Sequence, residues 1–160
     1  AAEAEAARQA AAEAEAARQA AEAQAAAEAK AAALVDETAP ILTNVSIVDN
    51  TLAAGETLIV NYNFQEQSDF RNGEFHFYHE NGEMLRLYDI VHADVENSTL
   101  KYEISSDLRA GQYSLKYVEL VDKASIPLAS RYLSDGTASG NNIEATHSID
   151  FDILTFDVLI

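Results

Sequence analysis

The chain has 160 residues, no cysteine and a formal net charge of −17, from 27 acidic and 10 basic residues. A surface this acidic repels nucleic-acid phosphates and anionic lipids, so we expect no nucleic-acid partner and no membrane insertion. Cations are the natural counterpart of such a surface.

The first 33 residues contain a ten-residue unit, AAEAEAARQA, twice in identical form and then loosely as AEAQAAAEAK. They contain no Gly, Pro or β-branched residue, and they consist of strong helix formers. We predict a long Ala/Glu-rich α-helix over residues 1–35, a stalk of roughly 50 Å at 1.5 Å per residue. Because no large apolar residue precedes Leu34, the helix has no Leu or Ile seam of the coiled-coil kind. Three alternatives are open for this segment. It can be an isolated helix in solvent, a helix that packs through its Ala-rich face against other helices, or a disordered segment.

Residues 36–40 are predicted to be a linker, since Pro40 ends any helix and favours extended backbone at Ala39. Beyond it, apolar side chains recur at every second position, which is typical of half-buried strands. Asn81-Gly82 predicts a two-residue hairpin turn. The predicted strands cover residues 41–48, 58–64, 75–77, 84–91, 100–104, 113–121, 128–133 and 149–160, the last with a bulge near Leu154.

Seven to nine short strands with frequent turn signals predict a mainly β protein, an antiparallel β-sandwich over residues 41–160. The stretch from Asp107 to Tyr113 places Gly111 shortly before a Tyr at the start of a late strand. This pattern predicts a tyrosine corner, in which the Tyr hydroxyl binds the backbone of the preceding loop.

Three stretches carry a family resemblance: AGQYSLKYVELVDKASIPLASRYLSDG, the Thr38-Ala39-Pro40 segment before ILTNVS, and the tail THSIDFDILTFDV. They resemble bacterial immunoglobulin-like (cadherin- or fibronectin-III-like) modules of large secreted, calcium-rich surface proteins of the RTX type. The resemblance implies an immunoglobulin-like β-sandwich at an extracellular or cell-surface location. It also implies other copies or neighbouring modules of the same protein as partners. The turn Asp122-Lys-Ala-Ser-Ile departs from the Asp-x-Ala-Gly-Asn turn that relatives often have.

Calcium is the best-supported ligand, because hard cations bind carboxylate and carbonyl oxygens on loops. The loop from Asn63 to Asp69 offers Glu66 and Asp69, and the loop after Val121 offers Asp122. In a sandwich of this connectivity the two loops can lie at the same end. We therefore predict a calcium site from Glu66, Asp69 and Asp122. The alternative is a diffuse acidic surface without a specific site.

No sequence feature indicates an enzyme. The chain lacks a G-x-S-x-G nucleophile elbow, a cysteine nucleophile and a Gly-rich phosphate loop. On a strand, His76 and His79 would point to opposite faces, which disfavours a zinc site. Asp150 and Asp152 are expected on the solvent face of a strand, without a partner acid or base.

We therefore expect a non-enzymatic extracellular module with a structural or adhesive role, stabilised by calcium. One alternative is an accessory domain of a secreted hydrolase that binds a polysaccharide or another cell-surface ligand. That domain would need Tyr78, Tyr88 and Tyr132 in one exposed row. Another alternative is a filament or sheath subunit that assembles through its N-terminal helix.

Overall fold

A computed structural model describes residues 14–25, 36–66, 70–89, 97–124 and 126–159. The chain divides into two compact units, Ala1–Val35 and Asp36–Ile160. In the first unit, residues 14–25 are α-helical and exposed, and Arg18 Nη2 lies 2.9 Å from Glu15 Oε1 one turn earlier. The rest of the helix predicted over residues 1–35 lies outside the described residues.

The second unit is built from strands, which confirms the prediction of a mainly β fold. Ten strands are present in the described residues, more than the seven to nine predicted. The surplus comes from two-residue strands, which are too short to show an alternating pattern. The strands are β1 Ile41–Ile47, β2 Thr51–Leu52, β3 Thr57–Gln65, β4 Phe70–His79, β5 Met84–Asp89, β6 Asn97–Glu103, β7 Gly111–Asp122, β8 Ala129–Leu133, β9 Ala138–Ser139 and β10 Thr155–Val158.

The strands form two sheets. The smaller has the order β1-β3-β6, and the larger has the order β2-β10-β7-β4-β5. Strand β7 is long enough to pair with β10 along its first half and with β8 along its second half, and β9 extends the sheet beyond β8. The pairs are antiparallel except for β2 and β10, which run parallel.

The core lies between the inner faces of the two sheets. Alternation in β3 buries four side chains on one face, and Tyr62 among them packs its ring 4.9 Å from that of Phe75 in β4. The ring centroids of Phe64 in β3 and Phe70 in β4 lie 4.2 Å apart, which is a second contact between the two sheets. Burial of large apolar and aromatic side chains in this space is the main stabilising term for a domain without disulfides.

Two predicted turns are present. Tyr113 Oη donates a hydrogen bond of 3.0 Å to the carbonyl oxygen of Arg109, so the tyrosine corner is confirmed. The hairpin at Asn81-Gly82 also forms, but its loop has three residues, because His79 N bonds to Glu83 O and Gly82 N bonds to His79 O. Gly82 has a φ of 90°, which lets the third residue of the loop turn the chain into β5.

The first part of the strand predicted over residues 149–160 was wrong. Phe151–Ile153 form a 3-10 turn, and the last strand is only β10. The carboxylate of Asp150 accepts the backbone N–H of Asp152 and caps this turn, so the alternation of Ile149, Phe151 and Ile153 does not reflect a pleat.

Candidate metal centre

Three carboxylates from distant parts of the sequence meet where β1 begins and where β3 and β7 end. Asp36 precedes β1, Glu66 directly follows β3, and Asp122 is the last residue of β7. One carboxylate oxygen from each residue lies within 4.8 Å of the other two. Because β1 is antiparallel to β3, the start of one and the end of the other lie side by side.

Asp122 shapes the turn between β7 and β8. Its side chain is completely buried, and Oδ1 accepts the backbone N–H groups of Ala124 at 3.1 Å and of Leu128 at 2.8 Å. Its own N–H donates to the carbonyl of Leu128. Both ends of the turn are therefore tied to this one residue, and its carboxylate is held in a fixed position.

The second carboxylate oxygen of Asp122, Oδ2, is buried and has no hydrogen-bond partner in the part of the chain that the structure describes. Burial raises the pKa of Asp122; the hydrogen bonds from Leu128 and Ala124 act in the opposite direction, and the nearby charge of Asp36 raises the pKa further. A buried polar oxygen without a partner costs free energy. This oxygen is therefore the one that a bound cation would satisfy.

Asp36 is held in place by its own segment. Its Oδ1 accepts the N–H of Thr38 at 2.9 Å, and its Oδ2 is also buried without a hydrogen-bond partner among the described residues. The chain around it is fixed by the bond from Ala39 N to Asn141 O and by the bond from Asn142 Nδ2 to Glu37 O, both 2.9 Å long. A segment predicted to be a linker is thus bound to the loop after β9.

Neither Asp36 nor Asp122 forms an ion pair with a Lys, Arg or His of the described residues. Three carboxylates this close repel one another when they are ionised, unless a cation lies between them. The ligand set contains only oxygen, which suits a hard cation such as Ca²⁺ or Mg²⁺ better than zinc or copper. Calcium accepts six to eight oxygens with loose geometry, so backbone carbonyls and water can complete its shell.

The predicted residues have different outcomes. Glu66 and Asp122 lie together, as expected from two loops at the same end of the sheets. Asp69 lies outside the described residues, so its predicted role stays a prediction. Asp36 was missed, because it was assigned to the linker and its position depends on contacts with residues more than 100 positions away.

The sequence matches no protein-family model and no curated protein. The described residues contain no helix with the length and apolar character needed to cross a membrane.

A separate cavity of about 620 Å³ lies between the start of β1 and the segment after β9. His147 lines it, but both ring nitrogens of this residue are engaged by the backbone. Nε2 lies 2.8 Å from Leu133 O, and Nδ1 accepts the N–H of Ile149 at 3.2 Å. The imidazole therefore has no free nitrogen with which to act on a bound molecule.

The histidines and tyrosines singled out in the sequence are dispersed. His76 points outward, with its ring centroid 4.6 Å from that of Tyr117 and the two rings tilted by 33°, whereas His79 is buried against Tyr113. Tyr132 is also buried, and its hydroxyl donates to the carbonyl of Pro40 and accepts the N–H of Leu42. The three tyrosines named for sugar stacking therefore do not form one exposed row.

Proposed function

We propose that this chain is a non-enzymatic structural or adhesive module of a secreted or cell-surface protein. In this proposal residues 36–160 form an immunoglobulin-like β-sandwich that calcium stabilises, and the Ala/Glu-rich N-terminal segment is a helical stalk. The module provides a folded unit with an acidic, soluble surface. Its partners are other copies or neighbouring modules of the same protein.

The strand arrangement supports the immunoglobulin-like part of the proposal. Two sheets with the orders β1-β3-β6 and β2-β10-β7-β4-β5 share one core. Immunoglobulin-like domains also have two sheets that share a core, and a tyrosine corner near the start of a late strand. Tyr113 occupies that position at the start of β7.

The observation that carries the cation part of the proposal is the unpartnered Oδ2 of Asp122, buried beside Asp36 and Glu66. A cation at this point would join three chain segments that are far apart in sequence. Binding to the folded state alone would then stabilise the whole unit.

The alternative of a polysaccharide-binding accessory domain depends on aromatic stacking. Because Tyr132 is buried, only Tyr78 and Tyr88 of the three remain available, and they lie on different strands, four positions apart in the register. We therefore prefer the structural role.

Thermal unfolding of the full chain in millimolar calcium and in excess chelator tests the proposal. At a calcium concentration 100 times the Kd, binding stabilises the fold by about 2.7 kcal/mol, which raises the midpoint by about 10 °C in a unit of this size. We expect Asp122→Asn to lose this response. The exposed control Asp107→Asn should keep it. An equal midpoint in calcium and in chelator would refute the cation site.

A further inference from the structure

The outer face of the larger sheet carries a regular array of side chains on β5, β4, β7 and β8. Strand register places them in cross-strand rows. The first row reads Tyr88, Glu74, Glu119, Arg131, and the second reads Arg86, His76, Tyr117, Leu133. Met84 and Tyr78 begin a third row. We call this array the paired-charge face.

The carboxylates of this face are covered by their neighbours. Glu74 is only 5% exposed, because Arg86 and His76 both bond to it, with Arg86 Nη2 at 2.8 Å from Oε2. Glu119 accepts from Arg131 Nε at 2.5 Å and from the Tyr117 hydroxyl at 2.8 Å. The acidic groups at the centre of the face are thus already paired.

The exposed side chains at the rim are basic or apolar. The side chains of Arg86 and Arg131 are 49% and 53% exposed. Of the eight exposed large hydrophobic residues in the described part of the chain, this face holds four: Tyr78, Met84, Tyr88 and Leu133. Aromatic residues, Met and Arg are the residue types enriched at protein interfaces.

The charge of the face favours a second copy as the partner. Within its rows Arg86 and Arg131 balance Glu74 and Glu119, so the paired-charge face has no net charge, while the whole chain carries −17. Two copies of this chain repel each other over most of their surfaces, but not where these faces meet. The face therefore suits a second copy of the chain.

The first row is also complementary to itself. Tyr88 on β5 and Arg131 on β8 stand at its two ends, three strand spacings or about 14 Å apart. A two-fold axis parallel to the strands brings β5 of one copy against β8 of the other. Arg86 of the same copy already covers one side of each Tyr88 ring, with its guanidinium carbon 4.7 Å from the ring centroid. The Arg131 guanidinium of the second copy then faces the other side of the ring, in an arrangement that suits cation–π stacking.

We propose that the chain self-associates reversibly through the paired-charge face, as a two-fold pair in which Arg131 of each copy stacks on Tyr88 of the other. The face covers only a few hundred Å² per copy, below the roughly 800 Å² per partner of stable complexes. The association is therefore weak, with a Kd on the order of 10⁻⁴ M, and it gains strength where copies are held close together. The proposal does not depend on the cation site.

Sedimentation equilibrium of the full chain from about 10 μM to 1 mM tests the proposal. We expect a monomer–dimer equilibrium that Tyr88→Arg weakens about tenfold or more, because two stacking contacts are lost and like charges meet instead. The matched control is Val48→Arg, which changes the charge equally at an exposed apolar residue outside the face. It should not weaken the dimer.

A mixture of two single variants gives the sharper result. Tyr88→Arg and Arg131→Tyr should each associate poorly alone, but together they recreate both Arg–Tyr contacts in a mixed pair. Thermal unfolding of each variant checks its fold, and the comparison with Val48→Arg is decisive even when Arg131→Tyr does not fold. Three results would each overturn the proposal. The chain could stay monomeric at 1 mM, or the mixture of folded variants could associate no better than each variant alone. Tyr88→Arg and Val48→Arg could also associate equally, which is the result that association through the helical stalk would produce.

Discussion

Substitution of Asp122 by Asn or by Ala separates the two roles of its carboxylate. Oδ1 accepts two backbone N–H groups in the turn after β7, while Oδ2 is buried without a partner. In Asp122→Asn the amide oxygen can replace Oδ1 as the acceptor, and the buried negative charge is removed. Asp122→Ala removes the acceptor as well as the charge, which leaves the N–H groups of Ala124 and Leu128 without an acceptor.

The expected magnitudes follow from these contacts. Each N–H that loses its acceptor costs about 1–3 kcal/mol, so the loss of two acceptor contacts in Asp122→Ala should lower the free energy of unfolding by about 2–6 kcal/mol. In chelator, Asp122→Asn should be at least as stable as the natural sequence, because it relieves repulsion between neighbouring carboxylates. Calcium should reverse this order, since the natural sequence gains about 2.7 kcal/mol at 100 times its Kd.

Urea unfolding at pH 7, in chelator and in calcium, measures all three free energies. Substitution of the exposed Asp107 by Asn and by Ala controls for the change of charge and should stay within about 0.5 kcal/mol of the natural sequence. If Asp122→Asn cost as much as Asp122→Ala in chelator, the charge itself would stabilise the metal-free fold. The description of Oδ2 as unsatisfied would then be wrong.

Three further predictions concern the sheets and turns, and urea unfolding measures each of them. Tyr113→Phe removes the hydrogen bond to Arg109 O and should cost about 1 kcal/mol, whereas no loss would mean that the tyrosine corner is not stabilising. Burial alone would raise the pKa of Glu74, but its hydrogen bonds and the cationic charges beside it outweigh burial and lower the pKa. Its ionised form therefore stabilises the fold above the ordinary pKa near 4.5. Glu74→Gln should cost about 1–3 kcal/mol at pH 7. This deficit should shrink as pH falls through the folded-state pKa, and an equal deficit at pH 3 would contradict the assignment. Gly111→Ala would place its Cβ 2.5 Å from Nε2 of a buried imidazole, whereas Gly55→Ala, also at positive φ, meets nothing within 4 Å. The first should cost at least about 2 kcal/mol more than the second, and equal costs would rule out the clash.

Much of the fold is predictable because burial on one face of a strand leaves an alternating pattern. Leu58, Val60, Tyr62 and Phe64 alternate in the sequence, and all four are buried in β3. The tyrosine corner is predictable for a similar reason, since a Gly and a Tyr at fixed spacing meet the needs of one local hydrogen bond. These features depend on neighbouring residues alone.

The same rule fails at the last predicted strand. Ile149, Phe151 and Ile153 alternate, but Ile153 is 71% exposed and the segment turns in a 3-10 conformation. A short Asp side chain that binds a nearby backbone N–H competes with strand pairing. Alternation over five residues does not reveal whether the segment forms a paired strand or a turn that an Asp side chain caps.

The candidate metal site could be predicted only in part, for a different reason. Glu66 and Asp122 were predicted because loops at one end of a sandwich lie close together. Asp36 could not be predicted, because the bonds of its segment to Asn141 and Asn142 depend on tertiary packing. Nothing near Asp36 in the sequence indicates that contact.

The parallel pairing of β2 with β10 has a mechanical consequence. Both strands run in the same direction, so tension applied upstream of Thr51 and downstream of Val158 pulls them in opposite directions along their common axis. The bonds from Asp157 N to Asn50 O and from Leu159 N to Leu52 O, each 2.8 Å long, are then strained together rather than opened one after another. A pull applied at these two points would therefore meet shear resistance at this pair.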